Sequence, residues 1–266
     1  MIHWKQSAFS LVELSIVLVI LGLLTGGILA GQSLIRAAEI RSVSTELGKY
    51  QTAIYTFRDK YFALPGDMRN ATDFWGSVTD SGDTCPNGAG SGTETCDGDG
   101  DGVIDNTTGV YYESVRAWQH LANAGLIEGD YSGTQNGSSP YITLGTNVPR
   151  SKITDAGYSI VSYGAGYGFG SGTGSGTDMC WDCTTQIYRM AIFFGGSGTD
   201  AMRYHSVLKP EEAWNIDTKM DDGKPDFGKI TSGSVGGACF TSATTPSDYD
   251  LQETEKRCNL VLNLIR

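Results

Sequence analysis

The stretch KQSAFSLVELSIVLVILGLLTGG, Lys5 to Gly27, places a glutamate, Glu13, near the start of an apolar run that is otherwise uncharged from Phe9 to Ile35. About 20 apolar helical residues span the hydrocarbon core of a bilayer, so the run is long enough to cross one. A carboxylate inside such a helix costs roughly 2.5 kcal/mol or more near the centre and less toward an end, and Glu13 therefore calls for a partner.

A secretory signal has a basic start, an apolar core of roughly 7 to 15 residues and a small-residue cleavage site after that core. Here the core is longer, and Ala8, the small residue in a cleavage-like setting, comes before it. Cutting between Ala8 and Phe9 leaves the apolar helix on the mature chain and creates an α-amino group one helical turn from Glu13. That positive charge, added to the positive end of the helix dipole, is the partner the carboxylate lacks in lipid.

The segment SAFSLVELSIVLVILGLL resembles the N-terminus of the type IV pilin and type II secretion pseudopilin family, whose precursors carry a short basic leader, a cleavage site, an N-terminal Phe and a Glu at the fifth mature position. The resemblance puts Ala8 at the last leader position, where the family usually has Gly, Phe9 at the methylated first mature residue and Glu13 at the fifth. It implies processing by a prepilin peptidase at the inner membrane and assembly with other pilin or pseudopilin subunits. Pairing of Glu13 with the Phe9 amine then sets the axial register. The implied divisions are a leader over 1–8, a membrane and assembly helix over 9–62 and a globular extracytoplasmic head over 63–266.

Composition fits an acidic, soluble-looking body on one greasy segment: 266 residues, 39% hydrophobic, net charge −11. The acidity argues against a nucleic-acid partner, because binding phosphates needs a basic surface. Six cysteines, Cys85, Cys96, Cys180, Cys183, Cys239 and Cys258, all lie beyond the apolar run and read as three disulfides in an oxidising compartment. Lys5 on the short N-terminal side agrees with positive-inside orientation. The expected location is the inner membrane, single-pass with the head outside the cytoplasm, and then an extracellular or periplasmic filament.

Past the apolar run, Ile40, Val43, Leu47, Tyr50, Ile54, Phe57 and Tyr61 recur at steps of three and four, with charged residues between them. This predicts one continuous helix from about Phe9 to Phe62, roughly 80 Å long, stopped by ALPGD at Ala63–Asp67. Its amphipathic half is expected to pack on the head. Gly22, Gly26, Gly27 and Gly31 suit bending or close helix packing. In the head, YYESVRAWQHLANAGLIEGD from Tyr111 reads as a short helix with Val115, Trp118, Leu121 and Ala122 inward and Gly125 near its C-cap. SPYITL, AGYSIVSYG and QIYRMAIFFGG read as strands, and CNLVLNLIR as a last one, tied by Cys258 to Cys239. The fold class is α+β: a long N-terminal helix packed on an antiparallel head, as in pilins.

The sharpest motif in the head is DGDGDGVID, with Asp97, Asp99 and Asp101 at alternate positions, a Val103 carbonyl and Asp105 at the ninth. Calcium loops gather hard oxygen ligands in this way, although Thr108 replaces the Glu of an EF-hand at the twelfth position, and Glu113 is a more distant candidate ligand. The competing reading is a solvated acidic turn. A second acidic run, NIDTKMDDGKPDFG, reads as turn chemistry. CWDC, Cys180 to Cys183, lacks the βαβ frame of a redox site and reads as a structural disulfide. His120 and His205 have no catalytic partners in sequence, and the chain reads as a non-enzyme. The alternative function is a membrane-anchored calcium-binding adhesin.

Overall fold

A computed structural model describes residues 10–78, 92–104, 113–134, 142–163, 189–196, 205–233, 238–242 and 247–264. The chain divides into two compact units, Met1–Arg41 and Ser42–Arg266, and helix α1, Leu11–Tyr61, contributes residues to both.

In the first unit α1 is apolar on every side. Its large side chains from Leu11 to Ile35 are 50 to 84% exposed, and α1 is the one helix among the described residues long and apolar enough to cross a membrane. The hydroxyls in this run bond back to the helix itself: Ser15 to the Val12 carbonyl, Thr25 to that of Leu21 and Ser33 to that of Ala30, each at 2.9 Å. Such back-bonding is what a hydroxyl needs where water is absent. The helix passes unbroken through Gly22, Gly26, Gly27 and Gly31, and no neighbouring atom would meet a Cβ at any of them.

In the second unit the periodic stripe turns inward. Val43, Leu47, Tyr50, Ala53, Ile54 and Phe57 are buried, while Tyr61, and Ile40 at the end of the first unit, are only half-buried. Large rings fill the space between α1 and the rest of the head: Tyr50 meets Trp118 at 4.9 Å and Tyr158 at 5.0 Å, both edge-on. Polar ties lie around these rings. The Tyr158 hydroxyl donates to Glu46, Tyr55 donates to the Leu264 carbonyl, and Lys219 donates to Ser44.

α1 ends as Phe62 takes a left-handed conformation, φ 54°, its amide closing on the Arg58 carbonyl at 2.8 Å. This is the usual C′ geometry, but glycine normally occupies it; a side chain there costs roughly 1–2 kcal/mol. Pro65 then keeps Leu64 out of the helical region. Gly66, φ 91°, lies so close to α3 that a Cβ would sit 2.4 Å from the Glu113 carbonyl oxygen. Only glycine fits that approach.

Among the described residues the head contains α2 (Ala71–Trp75), α3 (Glu113–Asn123), α4 (Pro210–Met220) and four strands, β1 (Ala156–Tyr163), β2 (Arg189–Gly196), β3 (Ile230–Thr231) and β4 (Leu260–Asn263). The sheet order is β1-β2-β4-β3, every neighbour antiparallel. Tyr158 stands opposite Phe194, and Ile192 opposite both Ile160 and Leu262. All these residues are buried, and so are Ser159, Val161 and Phe193 on the alternate face, so the sheet is covered on both sides. α3 buries Val115, Trp118 and Leu121 together with Arg116, Gln119 and His120, and leaves Ala122 half-buried. It ends at Gly125, φ 71°, with Leu126 N bonding to Leu121 O and Gly125 N to Ala122 O. A disulfide joins Cys239 to Cys258, 19 residues apart.

The fold is the α+β arrangement of a long N-terminal helix and an antiparallel four-stranded sheet. Two local expectations are corrected. Of SPYITL, the described residues Ile142–Leu144 form no ladder strand, only a bridge from Leu144 to Val148, because Gly145 turns the chain back at φ 76°. The acidic run from Asn215 is not turn throughout: its first part completes α4, which starts with Pro210 at N1 and is capped by Glu212 accepting from the Lys209 amide at 3.0 Å.

Candidate functional sites at the helix start and the acidic loop

At the start of α1, Glu13 reaches back to accept from the Ser10 amide at 2.9 Å, and Ser10 Oγ accepts from the Val12 amide at 3.3 Å. Ser-x-x-Glu is a capping box, with Glu13 at N3. Its carboxylate therefore faces the free amides of the first turn, the place where positive charge concentrates in any helix. Ala8 and Phe9 lie outside the described residues.

The acidic loop is organised by a residue that sequence reading missed. Asp67, from the ALPGD turn, accepts from the Asp101 amide at 3.1 Å and the Gly102 amide at 2.9 Å. Oxygens of Asp67, Asp99 and Asp101 lie within 4.8 Å of one another. Asp97 points elsewhere, taking the Thr72 amide at 2.8 Å and the Thr72 hydroxyl at 3.0 Å and so capping the first turn of α2. Glu113, buried at the start of α3, accepts from the Asp99 amide at 3.3 Å. Val103 is half-buried and donates its amide to Asp101; Asp105 is outside the described residues.

Two of the loop's glycines follow from close approach. A Cβ on Gly98 would lie 2.5 Å from the Gly66 carbonyl, and Gly100, φ 66°, lies under the Arg69 side chain. The consequence is a small pocket of hard oxygens around Asp67. Burial, with Asp101 and Asp99 adding repulsion, outweighs the two amide bonds and pushes the Asp67 carboxyl up to about 6. A divalent cation would reverse that balance.

The second acidic run also brings three carboxylates within 4.8 Å, Asp217, Asp221 and Asp222, but backbone groups take them up. Asp217 accepts from Gly223 N and the Tyr249 hydroxyl, Asp221 from Lys229 N and Ile230 N, and Asp222 from Lys224 N. They fasten the turns that follow α4. Burial pushes Asp217 up to about 7.

His120 is wholly buried, its Nδ1 accepting the Gly66 amide at 3.0 Å and its Nε2 3.0 Å from Thr95 Oγ1, which donates to Gln119. Burial, reinforced by Arg116, drops its pKa to about 3, so it is a neutral structural clamp on the turn that ends α1. His205 forms a bridge with Gly196. Cys96 is disulfide-bonded; Cys85, Cys180 and Cys183 lie outside the described residues.

Residues 5–29 match the prokaryotic N-terminal methylation motif, the signature of type IV pilin and pseudopilin precursors. No curated protein and no solved structure matches the chain. The motif and the exposed apolar helix behind it are consistent with a single-pass, membrane-anchored protein.

Proposed function

We propose that the chain is a structural subunit of a type IV pilus or type II secretion pseudopilus. It is inserted as a precursor with its head outside the cytoplasm, cut between Ala8 and Phe9 by a prepilin peptidase, methylated on Phe9 and assembled through α1. The observation that carries this reading is the methylation motif over 5–29 leading into a helix whose large apolar side chains from Leu11 to Ile35 are at least half exposed. Burying those faces against other subunits replaces their lipid contacts. In this reading Glu13, which accepts from the Ser10 amide at 2.9 Å, exchanges that bond for the Phe9 amine of the same or a neighbouring subunit. The reading assigns the chain assembly rather than catalysis. Glu13→Ala is expected to leave a folded, membrane-bound protein that forms no filament; filaments from this variant would contradict the reading.

The head is further proposed to bind calcium in the acidic loop through Asp67, Asp99 and Asp101, which supply the hard oxygens. With an affinity typical of extracellular modules, about 10⁻⁴ to 10⁻³ M, 10 mM calcium stabilises the head by roughly 1.4–2.7 kcal/mol. Melting of the wild type with and without calcium, beside Asp67→Ala, tests this: a shift in the wild type alone is expected, and equal curves would refute it.

A further inference from the structure

We propose that the hollow at the C-terminal end of α1 binds a neutral saccharide, which stacks a sugar ring on Phe62 and accepts hydrogen bonds from Arg58, Arg69 and Asn70. The inference goes beyond the filament reading and does not depend on it.

Phe62 is the first sign. It is 93% exposed and held at φ 54°, where glycine would close the helix without strain. Backbone strain of this kind clusters at ligand clamps and other functional sites. Next to the ring is a hollow of about 390 Å³ lined by Arg58, Tyr61, Phe62, Leu64, Arg69 and Asn70 among others. Small-molecule sites are concavities of this size, about 300–1,000 Å³, in which an apolar wall is joined by a few placed polar groups. Tyr61 is backed edge-on by Phe74 at 5.3 Å and Trp75 at 5.5 Å, which fixes the wall.

The polar side chains of the hollow keep donors in reserve. Arg58 lies over the Tyr55 ring, 5.5 Å from its centroid. Arg69 donates from Nε to the Asp99 carbonyl, which orients it and leaves both of its amino groups available. Asn70 stands at the N-cap of α2 but makes no side-chain cap, because Asp97 accepts from the Thr72 amide instead. Among the described residues these three side chains make no ion pair and no further hydrogen bond.

Charge selects the class of ligand. Asp67 borders the hollow, and the carboxylates of Asp99 and Asp101 lie beside it. An anion entering here meets those acids, and a cation meets the two guanidiniums. An apolar molecule would leave the guanidiniums and the Asn70 amide without partners. A neutral sugar answers all of these demands: its hydroxyls accept from the three donors, and its ring C–H groups face the electron-rich face of Phe62.

The test uses the full chain in a detergent without a sugar headgroup, titrated calorimetrically with cellobiose, maltose, lactose and N,N′-diacetylchitobiose, and with glucuronate as the charged comparison. The wild type is expected to bind at least one neutral disaccharide with a Kd of about 1 mM or tighter, and added salt should leave that Kd unchanged. Phe62→Gly is expected to melt no lower than the wild type and to weaken binding about tenfold, while Phe62→Trp keeps it. Arg58→Ala should weaken it about fivefold. No binding of any neutral disaccharide, binding of glucuronate alone, or equal binding by Phe62→Gly would overturn the proposal. Because binding is read on the solubilised chain, the result holds whether or not the chain assembles.

Discussion

The two halves of α1 share one secondary structure and have opposite surroundings. From Leu11 to Ile35 the apolar residues run all round the helix and stay at least half exposed; from Val43 to Phe57 they recur at helical spacing and are buried. A helix apolar on every side has no single face to offer one protein surface, so lipid or several other helices must cover it. A single apolar stripe is satisfied by its own domain. The lesson is that periodicity, more than hydrophobicity, tells where a helix finds its partner.

Truncation tests that contrast most strongly. Leu47→Ala is expected to destabilise the head by about 2–5 kcal/mol, because Leu47 is fully buried. Leu21→Ala, with its side chain 52% exposed, is expected to leave head melting unchanged. Thermal unfolding of the two variants checks this, and similar losses in both would break the comparison.

Acid sharpens it next, through the clamp that ends the buried half. His120 must shed its proton to fold, since its pKa falls from 6.5 unfolded to about 3 in the head. The unfolded chain thus holds more protons between those values, and the His120 contribution to stability declines as pH falls through that window. Between pH 6.5 and 4.5 the decline is roughly 2 kcal/mol. Asp67 and Asp217 are raised to about 6 and about 7, hold extra protons in the fold, and act in the opposite sense over their own windows. The difference in unfolding free energy between wild type and His120→Gln isolates the histidine: it should shrink on acidification, and a constant difference would show that His120 does not titrate on unfolding.

Much of this is legible in the sequence. The helix stripe, the ALPGD stop, the α3 pattern and the strands AGYSIVSYG and QIYRMAIFFGG are signalled by local spacing, and the structure has them. The organisation of the acidic loop is not, because its centre, Asp67, comes from a segment 30 residues before Asp97, and a linear motif cannot show that a turn will fold against it. Asp97, the first residue of the motif, is drawn off to α2 for the same reason. α4 is hidden by its acidic and turn-forming C-terminal half, although Lys209-Pro210-Glu211-Glu212 holds a proline at N1 and a capping glutamate at N3. The Ser10–Glu13 capping box is equally visible in the spacing, but the cost of a carboxylate in lipid draws attention to distant partners for Glu13 before the amides of its own first turn.

The smallest expected effect compares two glycines. Gly48 lies in the head half of α1 and Gly22 in the apolar half, and a Cβ added at either would meet no atom within 4 Å. Gly48→Ala should raise head stability by about 0.5–1 kcal/mol through helix propensity, and Gly22→Ala should leave it unchanged. Calorimetry resolves the difference; a gain from Gly22→Ala would mean that the apolar half takes part in head unfolding.

The central claim is that the apolar half of α1 belongs to a processed subunit that finds its partners outside its own chain. Mass spectrometry of the N-terminal peptide of the native protein tests it most directly. The account predicts a chain beginning at N-methylated Phe9; an intact Met1, or cleavage beyond the apolar run, would contradict it.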